Sequence, residues 1–294
     1  MELELTKMYD RTVDVSPIKN KKLDILYGKH EKNLMDLYYP DEFQFDKKLP
    51  LILFVTGGAF ERASKRHFQV APALQGIKKG YAVASITYRV LPDDIYPSAL
   101  WDVKSAVRYL KANADKLCID ADRIVAWGES AGAILVTMLG YTDGIAEFED
   151  RENDDLSIDT KVKAIVNWYG AVDYLKIYYK NKGISNDDPQ KGMTYTMEYM
   201  FGKKDEELVE LLKKLQVERY FKEGMCPLLI EQGKQDQYVD WHGAVELYQN
   251  AKKYLSEEKG EIEFHLFDDY HHGVEDFFTE ENMEIVYNFI ERWI

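Results

Sequence analysis

The chain has 294 residues, of which 46% are apolar and 31% are charged, and its formal net charge is −14. This length suits one large α/β domain or two ordinary domains, and the composition is that of a globular protein rather than a fibrous or disordered one. Because so negative a chain repels phosphate backbones and anionic lipid headgroups, we expect neither nucleic acid nor a membrane as a partner.

Short apolar runs alternate with amphipathic segments along the chain, which is typical of a parallel sheet flanked by helices. Most of these runs are rich in β-branched or aromatic residues, as expected of strands that are buried on both faces. The predicted strands are 51–55, 81–86, 124–127, 162–166, 228–230 and 262–267. The sequence therefore predicts an α/β fold with a mostly parallel central sheet.

Helices are predicted between these strands. They begin at Ser98 and directly after Ser130, and they cover 241–255 and 280–293. The first of them carries apolar residues at the three-to-four spacing of a helix that buries one face.

The segment 178–221 interrupts this alternation, because it has no clear strand and contains a charged helix over 205–216. Insertions of this kind usually lie over the open end of an α/β sheet, where ligands bind. We interpret the segment as a small helical cap. No linker or internal repeat divides the chain, so residues 1–294 are predicted to form a single domain.

The two cysteines, Cys118 and Cys226, form no C-x-x-C pair, and the six histidines show no metal-ligand spacing. We expect two reduced, buried thiols, no metal and no other cofactor. No stretch approaches the roughly 18 apolar residues needed to span a bilayer, and the first residues do not resemble a signal peptide. The cytoplasm is the expected compartment, and a homodimer is one of the oligomeric states that the sequence leaves open.

The strongest local signal is the G-x-S-x-G sequence of residues 128–132, which lies between the predicted strand 124–127 and an apolar helix. A nucleophilic serine of an α/β-hydrolase lies on a sharp, strained strand-to-helix turn that exposes its hydroxyl group. On its own, G-x-S-x-G is also compatible with an ordinary turn at the start of a helix. The strand before it and the helix after it favour Ser130 as a nucleophile.

A serine nucleophile needs a base, and the base needs an acid that fixes its tautomer. In this type of fold the chain order is serine, then the acid, then histidine. Asp236 lies on a turn after the strand 228–230, with Asp240 and Asp173 as alternative acids. His272 follows the last predicted strand, and its neighbour His271 is the alternative base. We predict Asp236 and His272 as the partners of the serine.

The glycine-containing run 56–60 directly follows the strand 51–55. It is flexible enough to turn backbone N–H groups toward a tetrahedral oxyanion, together with the N–H of Ala131. A glycine turn that merely ends a strand is the alternative interpretation, which the neighbouring serine motif makes less attractive.

A resemblance to a known family rests on five segments taken in order. The segments 56–60, 88–92, 96–103, 119–124 and 128–132 resemble α/β-hydrolase esterases related to hormone-sensitive lipase. Within that group, 168–173 and 272–279 are most similar to the bacterial carbohydrate-esterase-like, or BD-FAE, branch, and the likeness extends from about residue 34 to the C-terminus.

The resemblance implies an α/β-hydrolase fold and a role for six residues. Ser130 would be the nucleophile, with Asp236 and His272 as its partners. The remaining three would supply the backbone N–H groups of the oxyanion hole, and they are Gly58, Ala59 and Ala131.

The chain departs from the family pattern at two positions. The family usually has histidine where Thr56 stands and a third glycine where Ala59 stands. Ala59 keeps its N–H group, but its methyl group reaches the edge of the acyl pocket, and a positive φ at this residue would be strained. The departures therefore concern the acyl size and the shape of the loop rather than the class of reaction.

Three further features have structural interpretations. Glu129 is expected to be a hydrogen-bonding residue beside the nucleophile rather than a catalyst. Arg89 and Asp102 are expected to form an ion pair near the sheet, because a buried charge needs a partner. An aromatic cluster borders the predicted cap, where packing is a more common role than stacking on a substrate. Its members are Tyr174, Tyr178, Tyr179, Tyr195, Tyr199 and Phe201.

Together these features predict a cofactor-independent serine esterase that cleaves short-acyl esters through an acyl-enzyme, with an acetylated carbohydrate as one candidate substrate. An amidase or peptidase on the same triad is the nearest alternative, since the fold does not fix the leaving group. A non-catalytic binding protein of this fold is a second alternative. Such a protein has no need for a triad in this chain order. The acidic charge is expected to favour neutral esters.

Overall fold

The computed structural model describes residues 11–92, 94–181 and 197–294. Eight strands form one sheet within these ranges. They are β1 Lys21–Leu26, β2 Leu34–Tyr38, β3 Leu49–Val55, β4 Ala82–Ile86, β5 Ile119–Glu129, β6 Ala164–Trp168, β7 Leu228–Gly233 and β8 Ile262–Phe267. Their order across the sheet is β1-β2-β4-β3-β5-β6-β7-β8.

The sheet is mostly parallel, which confirms the predicted fold class. Strands β3 to β8 are parallel to their neighbours, whereas β1 pairs antiparallel with β2, and β2 pairs antiparallel with β4. The carboxyl ends of β3 to β8 therefore meet at one edge, which is where the sites of open α/β sheets form.

The predicted strands correspond to β3 to β8, with differences at their ends. β5 begins at Ile119, five residues before the predicted start at 124. β6 begins at Ala164, two residues after the predicted start at 162. Strands β1 and β2 were not predicted from the sequence. β1 is polar and lies at the edge of the sheet. In β2, the fully buried Asp36 interrupts the apolar run. Its burial is tolerated because Arg66 and Lys65 pair with its carboxylate.

The longer helices with assigned bounds lie between or after the strands. They are α1 Ser98–Ala112, α2 Ala131–Tyr141, α3 Tyr174–Asn181, α4 Asp205–Lys214, α5 Trp241–Ala251 and α6 Glu280–Trp293. α6 has the predicted bounds, α5 ends four residues before the predicted 255, and α3 was not predicted. Nowhere in the described ranges does a helix combine the length and the apolar character needed to cross a bilayer.

The core has two layers, one on each face of the sheet. On one face, Leu51 and Leu53 of β3 belong to the same buried cluster as residues of α1, α2 and α5. On the other face, Ile52 and Phe54 belong to a second cluster with residues of α6 and of the short helix Val274–Phe277. The alternation along β3 reflects the period of two in a strand, so each face of the sheet is covered by helices.

The described part of the predicted cap is helical. α4 ends at Lys214, two residues before the predicted end, and it is followed by the 3₁₀ helix Val217–Tyr220. Leu208 and Leu212 of α4 are buried in the cluster that contains α1 and α2. The remainder of the cap, 182–196, lies outside the described residues, so the single domain over 1–294 stays a prediction.

Candidate active site

Ser130 lies at the junction of β5 and α2, in the backbone conformation that a nucleophile elbow requires. Its φ is 52° and its ψ is −124°, a region that non-glycine residues rarely occupy and that costs of order 1–3 kcal/mol. A Cβ atom on Gly132 would lie 2.0 Å from the carbonyl oxygen of Val55. The first turn of α2 thus packs directly on the end of β3, and only glycine fits at this position.

His272 lies between Ser130 and Asp236. Its Nε2 is 2.9 Å from Ser130 Oγ, and its Nδ1 is 2.8 Å from Asp236 Oδ2. Because the ionised carboxylate only accepts hydrogen bonds, Nδ1 carries a proton, which leaves Nε2 to accept from the serine hydroxyl in the neutral imidazole. The structure thus brings the three predicted side chains into one hydrogen-bonded series.

Asp236 is buried and receives four hydrogen bonds. Oδ2 accepts from His272 and from the side-chain amide of Gln232 at 2.9 Å, and Oδ1 accepts from the backbone N–H groups of Tyr238 and Val239, both at 2.8 Å. Burial raises the pKa of Asp236, but the hydrogen bond and positive charge of His272 and the two backbone donors outweigh it, so the pKa lies below its ordinary value. The carboxylate is therefore ionised at neutral pH.

The alternative acids and base have other partners. Asp240 caps α5 by accepting from the backbone N–H of His242, and Asp173 accepts from the backbone N–H of Lys176. His271 is exposed, and its Nδ1 lies 3.1 Å from Asp276. None of the three is hydrogen-bonded to Ser130 within the described residues.

The loop of residues 57–60, hereafter the oxyanion loop, follows β3 and lies beside Ser130. Gly58, Ala59 and Phe60 all have positive φ angles, of 126°, 55° and 60°. Ala59 thus adopts the strained conformation that its side chain disfavours. The backbone N–H groups of Gly58, Ala59 and Ala131 have no hydrogen-bond partner among the described residues.

Glu129 is buried directly before the nucleophile and accepts a hydrogen bond from the backbone N–H of Gly57. Burial raises the pKa of Glu129 to about 7, an effect that the Gly57 hydrogen bond and the charge of His272 oppose without cancelling. Tyr169 is also buried, and its ring lies edge-on to the His272 imidazole with centroids 4.8 Å apart. Glu129 is therefore the hydrogen-bonding neighbour that the sequence predicted.

Two residues of the site were missed from the sequence. Gln232, at the end of β7, donates to Asp236, and Tyr238 places its exposed ring 5.3 Å from the His272 ring, edge-on. The available signal for Gln232 was the change from apolar residues to Glu231 and Gln232 near the end of β7, four positions before Asp236. No comparable signal marked Tyr238.

A groove extends from Tyr238 between α3 and the start of α5. Lys176 and Lys180 of α3 line it together with Asp240 and Glu246, and the ion pair of Lys176 with Glu246 crosses it. Tyr238 links this groove to the histidine, because its ring lies edge-on to the His272 ring. Across the described ranges, no three His, Cys, Asp or Glu side chains cluster as metal ligands.

The predicted ion pair is present near the sheet. The Arg89 side chain donates to both carboxylate oxygens of Asp102, with Nη2 2.8 Å from Oδ1, and the Arg89 backbone N–H donates to Oδ2 at 2.7 Å. The guanidinium group thereby ties the segment after β4 to α1.

The described members of the aromatic cluster differ in their burial. Tyr178 and Phe201 are buried, and the ring of Tyr174 contacts Phe201 edge-on at 5.5 Å. Tyr179 and Tyr199 are exposed, and Tyr195 lies outside the described residues.

The prediction for the cysteines was right about pairing and wrong about burial. Cys118 and Cys226 are both free thiols, but each is partly exposed rather than fully buried. Cys118 ends the short helix before β5, so its side chain lies near the surface.

Comparison with protein families gives a match to the BD-FAE model over residues 35–251. This range covers most of the chain and includes Ser130 and Asp236. The chain belongs to the BD-FAE family.

Known relatives of this BD-FAE protein agree with the assignment. Esterase LipC of Mycobacterium tuberculosis (strain ATCC 25618 / H37Rv) is 31% identical over 150 residues, which are 51% of this chain and 36% of LipC. The chain spans about a third of the length of the curated relatives it matches.

Solved structures support the α/β-hydrolase fold of this BD-FAE protein. A truncated carbohydrate esterase from gut microbiota has a TM-score of 0.76 at 24% identity, over 96% of this chain and 99% of that chain. The butyrate-bound esterase Est2 of Thermogutta terrifontis has a TM-score of 0.72 at 20% identity, over 96% and 97%. At these identities the likeness concerns the fold alone.

Proposed function

We propose that this BD-FAE family member is a serine carboxylesterase that hydrolyses short-acyl esters through an acyl-enzyme. The observation that carries the proposal is the hydrogen-bonded series Ser130–His272–Asp236, with distances of 2.9 and 2.8 Å, on a strained strand-to-helix turn. A hydroxyl group held at hydrogen-bond distance from a neutral imidazole is poised to lose its proton as it attacks a carbonyl carbon.

In the first step, Ser130 Oγ forms a bond with the ester carbonyl carbon, and its proton passes to His272 Nε2. Asp236 stabilises the resulting imidazolium, which is the role that its buried, ionised carboxylate suits. The negative charge on the carbonyl oxygen faces the backbone N–H groups of Gly58, Ala59 and Ala131. The carbon–oxygen bond to the alcohol then breaks, and His272 returns the proton to the leaving oxygen.

In the second step, water repeats the sequence. It gives a proton to His272 as its oxygen bonds to the acyl carbon. The second tetrahedral intermediate then collapses, the bond from the acyl carbon to Ser130 Oγ breaks, and His272 returns the proton to Ser130 Oγ as the acid leaves. No group outside this chain is required in either step, since the proton travels only between the substrate, the water, Ser130 and His272.

The short-acyl part of the proposal rests on the oxyanion loop. The methyl group of Ala59 replaces the hydrogen of a glycine at the position where the acyl group enters, which leaves less space for a long chain. The butyrate bound to Est2 is a short acyl acid. Acetylated carbohydrates are candidate substrates because one structural relative is a carbohydrate esterase.

The test is a comparison of Ser130→Ala and Asp236→Asn with wild type on p-nitrophenyl acetate. We expect Ser130→Ala to lower kcat by at least about 10⁴-fold and Asp236→Asn by about 10³- to 10⁴-fold, as for triad residues elsewhere. Asp268→Asn is the matched control, since Asp268 is an exposed carboxylate after β8 that pairs with Lys234, and it should leave kcat unchanged. Unchanged hydrolysis in Ser130→Ala would contradict the mechanism.

The same assay defines the substrate class. A series of p-nitrophenyl esters should give its highest kcat/KM with acetate to butyrate, and a preference for long chains would overturn the short-acyl proposal. An aminoacyl anilide and an acetylated sugar complete the panel. Faster turnover of the anilide than of the ester would favour an amidase or peptidase instead.

A further inference from the structure

The oxyanion loop holds a conformation that its own sequence disfavours. Three successive residues, Gly58, Ala59 and Phe60, have positive φ angles, and two of them carry side chains. A strained segment persists only when surrounding contacts fix it. The residues that supply those contacts therefore control the geometry of the proposed oxyanion hole.

Contacts hold the loop on both sides. At its start, the Thr56 carbonyl accepts from the hydroxyl of Tyr88 at 2.8 Å. At its end, the Phe60 carbonyl accepts from the backbone N–H of Leu91 at 2.8 Å. Between these anchors, Gly57 donates its backbone N–H to Glu129 Oε1. Of these three contacts, only this one joins the loop to the residue before the nucleophile.

Gly57 and Glu129 are packed against one another as well as hydrogen-bonded. A Cβ atom on Gly57 would lie 2.8 Å from Glu129 Oε1 and 2.8 Å from Ser130 Cβ. The loop therefore lies directly on Glu129 and Ser130.

We propose that Glu129 is a positioning residue that, through Gly57, holds the N–H groups of Gly58 and Ala59 toward the oxyanion formed at Ser130. This inference rests on the proposed function, because it assumes that Ser130 forms a tetrahedral adduct. Glu129 acts on the reacting atoms only through the loop and does not itself touch the substrate.

Charge strengthens the contact. A carboxylate is a stronger acceptor for a backbone N–H than a neutral group, and burial places the pKa of Glu129 at about 7. The groups that face it are His272, Tyr169, Tyr88 and Glu275. Of these, His272 favours the ionised form of Glu129 and Glu275 opposes it. The anchor is therefore strongest above neutral pH.

The experiment measures how fast a fluorophosphonate labels Ser130. Labelling forms a bond from Ser130 Oγ to phosphorus and releases fluoride, and the phosphoryl oxygen needs the same N–H donors as the oxyanion. We expect Glu129→Ala to lower the labelling rate constant and kcat for p-nitrophenyl acetate by about 10- to 100-fold, comparable to the loss of one oxyanion donor. KM should change by less than about 2-fold, because ground-state binding does not use these donors.

Two variants sharpen the test. Glu129→Gln keeps an oxygen that accepts from Gly57, so it should restore the rate to within about 5-fold of wild type. Glu275→Gln removes an exposed charge that faces Glu129 and pairs with Arg11, and it should leave the rate unchanged at about pH 9, where Glu129 is ionised in both proteins. If Glu129→Ala does not fold, the pH profile of Glu129→Gln decides. Compared with wild type, it should lack the part of the rise near neutral pH that the ionisation of Glu129 contributes, while the part that comes from the base His272 remains.

Each outcome bears on a definite claim. A wild-type protein that is not labelled at Ser130 would overturn the proposed function and this inference with it. Labelling of wild type and Glu129→Ala at equal rates would overturn the inference alone. Identical pH profiles for wild type and Glu129→Gln would also overturn it.

Discussion

Two buried carboxylates of the site, Asp236 and Glu129, have pKa values displaced in opposite directions. Burial raises both, but Asp236 receives four hydrogen bonds, whereas Glu129 accepts one, from Gly57. Donors to the charged form lower a pKa and can outweigh the cost of burial. Asp236 is therefore ionised well below neutral pH, and Glu129 titrates near 7.

This difference predicts how the stability of Glu129→Gln depends on pH. A raised carboxyl pKa contributes stability that is present below the unfolded value and is lost as the pH rises through the folded value. For Glu129 this pH window runs from 4.5 to about 7, which corresponds to a change in unfolding free energy of at most about 3 kcal/mol. The free energy of unfolding of Glu129→Gln, relative to wild type, should therefore increase by up to this amount between pH 4.5 and 8.

Urea denaturation at both pH values measures this quantity. Glu231 also has a pKa raised to about 7 by burial, but it is present in both proteins and cancels in the comparison. An equal difference in unfolding free energy at the two pH values would contradict the prediction.

At the level of elements, the sequence predicted those strands and helices whose burial is visible in local composition. Strands β3 to β8 are apolar runs, and α6 has a regular apolar stripe. β1 was missed because it is a polar edge strand. β2 was missed because the partners that make Asp36 tolerable in a buried strand, Lys65 and Arg66, are about 30 positions away along the chain. Such long-range pairing cannot be seen in a short window of sequence.

The site was predictable for a related reason. Ser130 lies in a local motif, and Asp236 and His272 follow strands in the order that the fold imposes. By contrast, Tyr238 contacts His272 only because two loops meet at the sheet edge. The role of Gln232 likewise depends on the turn after β7, which brings the Asp236 carboxylate within hydrogen-bond distance of the Gln232 amide. Local patterns identified the reacting groups, but not the residues that support them.

A buried ion network fixes α1 to the segment after α2. Lys104 is fully buried, with Nζ 2.6 Å from Glu149 Oε1, and Arg108 Nη2 is 2.5 Å from Glu149 Oε2. Arg108 also pairs with Asp154 at 2.8 Å. Glu149 thus accepts from two cations in a region with little solvent, where an unpaired charge is costly.

Glu149→Gln should therefore destabilise the fold strongly. Removing one partner of a buried ion pair costs about 3–5 kcal/mol, because the other charge stays buried. The matched control is Glu207→Gln, which breaks the exposed pair of Glu207, in the first turn of α4, with Lys203, which precedes the helix, and it should cost less than about 1 kcal/mol. Urea denaturation measures both variants, and equal losses of unfolding free energy would contradict the assignment.

At the scale of the whole molecule, the topology assembles the site from four strands. The oxyanion loop follows β3, Ser130 follows β5, Asp236 follows β7 and His272 follows β8, and these strands are parallel. Their carboxyl ends therefore meet at one edge. This edge belongs to a chain with 52 acidic and 38 basic residues, so a substrate approaches through a net negative field.

That field should discriminate against anionic esters. We expect kcat/KM for p-nitrophenyl hemisuccinate to be lower than for the neutral p-nitrophenyl butyrate, which has a chain of the same length, because repulsion slows encounter with a protein of net charge −14. Raising the ionic strength from about 0.01 to about 0.1 M shortens the screening length from about 30 to about 10 Å. The rate with the anionic ester should then rise several-fold while that with the neutral ester stays constant. Equal salt dependence for both esters would show that the net charge does not govern access to Ser130, and a faster anionic ester would point to local attraction by lysines of the groove, such as Lys180.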